Sequence, residues 1–319
     1  MRTSGAVVTR VFDCFTFSTE LDLLEFRLRY LSEVVDHFVL VEAPRTFSGL
    51  DKPLLFADQQ DRFAPWRSRI THVVVDDLPA PEPDRWVPEH FQRNAIVRGL
   101  TDAEPDDVVL VTDVDEIPDA AVVGRLAAEL DGTTMLAMRT CYLRANWIAP
   151  QLWPLSRATR MSRLGRPNDL RLAPTLTQVA DAGTHFSYLM DVADIDRKLG
   201  WFAHDELDDP MTRSHAYQSA MSSAAVFAGH GMALEVAQPD QLDAVQQALL
   251  AERPDFFDFR RRPPGVQQLG LAWWRVRQSS RLDLPPGAVH LGDRTLARLG
   301  TAALRATRRP APDRAPDPT

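Results

Sequence analysis

Asp113 and Asp115 stand two residues apart with Glu116 directly behind, and all three follow the run Val108-Val109-Leu110-Val111-Thr112. Side chains at i and i+2 of an extended segment leave from one face, so two carboxylates at that spacing can converge on one ion. Hard oxygen donors select Mg²⁺ or Mn²⁺, and a site with few protein ligands leaves coordination positions for the phosphates of a substrate. The competing reading is a turn whose acids cap the next helix. Asp119, ahead of Ala120-Ala121-Val122-Val123, can do that capping alone. The apolar strand in front and the third acid behind favour the cation.

Such acids need a sheet behind them, and the chain in front supplies the pattern of one. Val11–Phe17 reads as a strand, followed by a helix with Leu21, Leu24, Leu28, Leu31 and Val35 at helical spacing and Thr19 with Asp22 as a loose capping pair. Strands at His37–Val41, ending in Glu42, and at Ile70–Val75, ending in Asp76-Asp77, precede a helix over about Glu89–Asp102 and then the Val108–Thr112 strand. This βα alternation predicts an α/β fold with a mostly parallel, doubly wound sheet. In such sheets ligands bind outside the carboxyl ends of the strands, where Glu42, Asp113 and Asp115 stand.

After Asp119 the pattern changes. A helix at Ala120–Leu130 leads to a long strand-like run over Thr133–Trp147, and then to an irregular stretch to about Ala180. His185–Tyr188 reads as a short strand; Asp191–Phe202, Thr212–Phe227 and Pro239–Glu252 read as helices. The predicted organisation is a flexible N-terminus (1–9), one domain over 10–260 with halves at 10–130 and 131–260, an extension at 261–307, and a disordered proline-rich tail at 308–319.

The 319 residues, 45% hydrophobic and 25% charged, suffice for a full core. A net charge of −8 argues against a nucleic-acid partner, since phosphate backbones select basic surfaces. Cys14 and Cys141 form no paired framework and read as buried reduced thiols. No signal peptide and no run near the ~20 apolar residues of a membrane span is visible, so the default expectation is a cytoplasmic protein, with weak membrane-surface contact open to the arginines of the tail.

Placed in order, several strings resemble glycosyltransferase family 17, whose animal members attach β1,4-linked N-acetylglucosamine to the core mannose of N-glycans. They are Phe12-Asp13-Cys14-Phe15 with Glu20-Leu21-Asp22-Leu23-Leu24-Glu25, Val41-Glu42 with Thr46-Phe47-Ser48-Gly49 and Lys52-Pro53-Leu54, and Gln92-Arg93-Asn94. Asp113-Val114-Asp115-Glu116-Ile117-Pro118, His185-Phe186-Ser187-Tyr188, and Lys198 with Phe202-Ala203-His204 and Glu206 complete them, covering about residues 10–210. Against the family, whose animal members carry an N-terminal membrane anchor, the expectation here is of no such anchor, and Thr184 stands where family sequences usually have Trp.

The resemblance implies a GT-A-like, Rossmann-type fold with an irregular acceptor-side half. It also implies a metal-dependent inverting transfer of a sugar, N-acetylglucosamine by likeness, from a UDP-sugar to a hydroxyl of a glycan or small-molecule acceptor. Asp113, Asp115, His185 and His204 are the expected ligands of Mn²⁺ or Mg²⁺, and Asp113 alternatively reaches the ribose. Arg93, Asn94, Glu42, Thr46 and Gly49 are the expected donor contacts; Lys52 either joins them or is a solvated loop lysine. Glu206 is the expected base for the acceptor hydroxyl, with Asp205 in reserve. Glu116 is either a supporting acid or a salt-bridge partner. Trp147, Tyr142 and Asn146 either line the acceptor site, sugar faces stacking on rings, or pack the core. A sugar nucleotidyltransferase, or an inactive carbohydrate-binding relative, is the alternative; the first lacks its usual Gly-rich loop here.

Overall fold

The computed structural model describes residues 9–81, 84, 86–174, 177–190, 214–227, 231–278 and 286–306. Its centre is strand β4 (Val108–Asp113), in which Val108, Val109, Leu110 and Val111 are wholly buried. Burial on both faces stabilises by roughly 1.5–3 kcal/mol per side chain, which offsets the cost of taking carboxylates partly out of water at the strand's end. β1 (Val11–Thr16) lies parallel to β4, and β2 (His37–Glu42) and β3 (Ile70–Val74) continue the parallel sheet outward. The register sets Thr16 opposite Asp113.

Helices cover both faces, as the alternation predicts. Leu24 and Leu28 of the Leu21–Tyr30 helix and Val123 of the Ala120–Glu129 helix pack with Phe15, Phe38 and Leu110 on one face. Ile96 packs with Cys14, Val39, Val41 and Val111 on the other. The expected Thr19/Asp22 cap does not form: the Leu21–Tyr30 helix has no side-chain cap, and Asp22 instead accepts from Arg62. The helix expected over Glu89–Asp102 runs from Trp86 to Asn94 and tightens into a 3₁₀ turn over Ala95–Gly99.

The second half holds more order than its sequence suggests. β5 (Glu116–Pro118), β6 (Thr133–Tyr142) and β7 (Trp147–Ile148) are followed by β8 (Trp153–Arg160), inside the stretch expected to be irregular. β8 lies between β4 and β6, antiparallel to both. Pro154, Arg157 and Arg160 break the period-two pattern, and tertiary partners make them tolerable: Arg157 donates to the carbonyls of Pro154 and Ala173. β9 (Gln178–Val179) joins β6, and β10 (Gly183–Ser187) runs parallel to β6 and antiparallel to β5, setting His185 opposite Glu116. Gly183 has φ 138°, and a Cβ there would stand 2.2 Å from the Ile117 carbonyl oxygen. Only glycine lets β10 approach so closely.

The short pairs β11 (Val226–Phe227) with β12 (Met232–Ala233), and β13 (Glu235–Val236) with β7, complete the strands described. The helix expected over Pro239–Glu252 is a 3₁₀ turn at Pro239–Gln241 and an α-helix at Ala244–Glu252, because Asp243 and Gln246 form a reciprocal capping box that starts the helix afresh. Beyond it, the extension carries helices Pro264–Gln278 and Pro286–Ala306, and Val266 and Leu296 pack against Tyr217 and Met221 of the His215–Ser223 helix. Both cysteines are free and buried. Among the described residues no helix is long and apolar enough to cross a membrane.

Candidate active site

Asp113 is the last residue of β4, and its carboxylate is fully engaged. It accepts from Thr16 Oγ1 at 2.7 Å, Arg93 at 3.1 and 3.2 Å, and Arg171 at 2.8 Å. Burial would raise its pKa, but the Arg171 and then the Arg93 guanidinium reverse that and hold it well below the usual carboxylate range. Glu116, wholly buried, accepts from Arg171 at 2.7 Å, Trp153 Nε1 at 2.7 Å and Ser156 Oγ at 2.7 Å. Burial again opposes ionisation, and Arg171 again outweighs it. Of its two readings, the ion-pair partner is the one the geometry supplies.

Arg27 sets the shape of the turn between these acids. It is wholly buried, bound to Asp13 at 2.6 and 2.8 Å, and it donates to the carbonyl oxygens of Asp113, Val114 and Glu116 at 3.0, 3.2 and 2.7 Å. The strand stops at Asp113, and Val114-Asp115 form a turn. The alternation that put Asp113 and Asp115 on one face therefore does not extend to Asp115.

Asp115 meets His185 instead. Its Oδ1 lies 3.7 Å from His185 Nε2, longer than a hydrogen bond, so neither group is committed to the other. His185 tilts against Trp153 with ring centroids 4.1 Å apart, and its Nδ1 is buried with no hydrogen-bond partner among the described residues. Thr184, the next residue on β10, leaves the opposite face and donates to Asp243 at 2.6 Å. The departure at Thr184 thus stands on the far side of the strand from the histidine.

The expected donor contacts divide by role. Arg93 binds Glu89 at 2.9 Å and Asn168 at 2.9 Å in addition to Asp113, while Asn94 Oδ1 accepts the Asn168 backbone N–H at 2.9 Å. Asn94 thus holds the Pro167–Leu172 helix, which carries Arg171, against the sheet. Glu42 is wholly buried; His72 Nε2 lies 3.1 Å from it and Lys52 Nζ 3.6 Å. Gly49 has φ 87°, in a turn closed by Leu50 N–H donating to Thr46 Oγ1.

A cavity of about 320 Å³ opens over the carboxyl ends of β1, β2 and β4. Arg45, Thr46, Lys52, Arg93, Asp113, Asp115, Arg171 and His185 line it, whereas Glu42, Asn94 and Gly49 stand outside the lining. Its other wall is aromatic: Trp153, Tyr142, Tyr188 and Phe227. Tyr142 stacks on Phe227 at 4.2 Å and Tyr188 tilts against it at 5.3 Å. Tyr188 sits in the left-handed region at φ 52°, a strain of roughly 1–2 kcal/mol. Trp147 and Asn146 are buried away from the cavity, both donating to the Asp258 carbonyl. His204, Asp205 and Glu206 lie outside the described residues.

A sequence profile described as glycosyltransferase family 17 matches residues 2–231 of this chain. The chain belongs to that family. Proteins of Rattus norvegicus and Homo sapiens named beta-1,4-mannosyl-glycoprotein 4-beta-N-acetylglucosaminyltransferase are each 33% identical to it over 119 residues, covering 35% of this chain. The matched stretch spans 22% of the length of those relatives. As a member of a glycosyltransferase family, the chain carries its strand-end acids, its arginine cage and its aromatic wall around one cavity. Among the described residues no three of His, Cys, Asp and Glu converge as a metal-ligand cluster. Asp115 and His185 nonetheless suit a divalent cation, since they present a carboxylate and an imidazole that are not bonded to each other.

Sequence reasoning passed over two residues that shape this site, Arg27 and Arg171, and carried Asp13 only as part of a family string and Trp153 only as one of several tryptophans. Arg27 left a signal, an arginine on the apolar face that carries Leu24 and Leu28, as did Asp13 inside an apolar strand. A buried charge in each of two adjacent elements predicts that they meet. Arg171 left none, because it lies in the stretch whose pattern reads as irregular.

Proposed function

We propose that this protein is a metal-dependent inverting glycosyltransferase that moves N-acetylglucosamine from a UDP-sugar to a hydroxyl of a glycan or small-molecule acceptor. The observation that carries this reading is the charge of the cavity lining. Among the described residues it holds four basic groups, Arg45, Lys52, Arg93 and Arg171, and four acids, Glu20, Glu89, Asp113 and Asp115. A lining without net positive charge gains attraction for a diphosphate from a cation held between them. Asp115 and His185 would hold Mn²⁺ or Mg²⁺ together with the donor's phosphates. The cation would supply Lewis acidity that offsets the charge developing on the departing diphosphate. Arg93 and Arg171, fixed by Asp113, add oriented positive charge at the same strand end. The aromatic wall offers ring faces to the C–H surface of a sugar. The base for the acceptor hydroxyl is assigned to Glu206, with Asp205 as the alternative, on sequence grounds.

The test is calorimetric titration with UDP, with Mn²⁺ and with excess chelator, alongside release of UDP from UDP-N-acetylglucosamine. Binding should require the cation, and Asp115→Ala should remove that requirement along with turnover. Equal UDP affinity with and without chelator refutes the metal role, and a clear preference for a GDP- or TDP-sugar refutes the donor.

A further inference from the structure

Lys52 is a buried cation without an assigned task. Its side chain is 4% exposed, the residue lines the cavity, and among the described residues no acceptor stands within 3.5 Å of its ammonium. Glu42, wholly buried, stands 3.6 Å from it and is itself held by His72 at 3.1 Å. The ion pair with Glu42 fixes the ammonium in place and engages at most one of its three N–H donors. An unsatisfied buried ammonium is costly unless a ligand supplies acceptors.

The sheet says which part of a ligand that is. The phosphate-facing groups Asp115, Arg93 and Arg171 gather at the end of β4, whereas Lys52 pairs with Glu42 at the end of β2. β1 lies between these strands, so two steps of about 4.8 Å separate the two positions. That is the reach from a nucleotide's diphosphate to its base. Lys52 is among the residues that line the cavity, and a donor at that distance from the diphosphate can meet the base edge remote from the ribose. On that edge uracil carries a carbonyl oxygen and cytosine an amino group.

We propose that Lys52 reads the donor's base, donating to the carbonyl oxygen at C4 of a pyrimidine and so selecting uracil over cytosine. This rests on the nucleotide-sugar reading of the cavity. An ammonium has no acceptor to offer an amino group, so cytosine leaves donor facing donor there.

The test is titration of the full chain with UMP, CMP and UDP in the presence of Mg²⁺, using wild type, Lys52→Met, and Lys52→Met/Glu42→Gln. The double variant leaves no unpaired buried carboxylate, so it reports on binding if the single variant folds poorly. Wild type should bind UMP at least about 10-fold tighter than CMP; the variants should lose about 10- to 100-fold for UMP, the scale of one charged hydrogen bond, with the UMP-to-CMP ratio falling toward one. An unchanged ratio in the folded double variant overturns the assignment, as does weakened UDP with unchanged UMP, which would put Lys52 on a phosphate. Wild type that binds neither UMP nor UDP overturns this assignment and the proposed donor together.

Discussion

Replacing Arg171 by methionine tests the cage on which the site is built. Arg171 is 2% exposed, and its guanidinium bonds both Asp113 and Glu116. Without it, Asp113 keeps Arg93 and Thr16, but Glu116 is left wholly buried with only neutral donors, Trp153, Ser156 and the Asp113 backbone N–H. Removing one partner of a buried pair costs about 3–5 kcal/mol, a Tm lower by roughly 6–10 °C at about 2 °C per kcal/mol for a chain of this size. The pH dependence gives the argument its sign. In the wild type both carboxyls hold pKa values below their ordinary range, so their contribution is complete above that range and is lost as pH falls through the lowered values. In the variant the pKa of Glu116 rises, and protonation relieves it. The gap between the two proteins should therefore be widest near pH 8 and narrow toward about pH 5. Urea unfolding across that range measures it, with Arg171→Met/Glu116→Gln expected to recover at least half of the loss. A variant within about 1 kcal/mol of wild type at pH 8, or a gap indifferent to pH, would refute the cage as described.

Two further outcomes follow from the chemistry above. Asp258 accepts from Arg260 and Arg262, and although burial opposes ionisation these bonds lower its pKa to about 2. Asp258→Asn should cost roughly 1–3 kcal/mol at pH 7, a difference that persists down to about pH 4 and closes as pH falls toward 2; a difference that grows on acidification would contradict it. Glu206→Gln should lower turnover by at least ~10²-fold with UDP binding near the wild-type value. If Asp205→Asn fails instead, the base is its neighbour, and if both variants stay active the base lies elsewhere.

The sequence by itself determined the parallel half of the sheet, the buried strand that ends in acids, and the family. These are local facts: period-two and period-3.6 patterns, and short strings of fixed order, survive without knowledge of what packs on what. Strand β8 was not legible, because the features that break its pattern, Pro154 and Arg157, are tolerated only through partners supplied by other elements. The division of work between the two aspartates was not legible either. The spacing rule holds inside a strand; β4 ends at Asp113, and Arg27, from a helix far earlier in the chain, bends the next residues into a turn. Arg171 reaches Asp113 across 58 positions and Glu116 across 55. Ion pairs of that separation leave no periodic trace, because each partner's own neighbours look the same whether or not the other arrives. Which carboxylate is caged by arginines and which one meets His185 is thus a property of the packed sheet and helices, while the presence of carboxylates at that strand end is a property of the sequence.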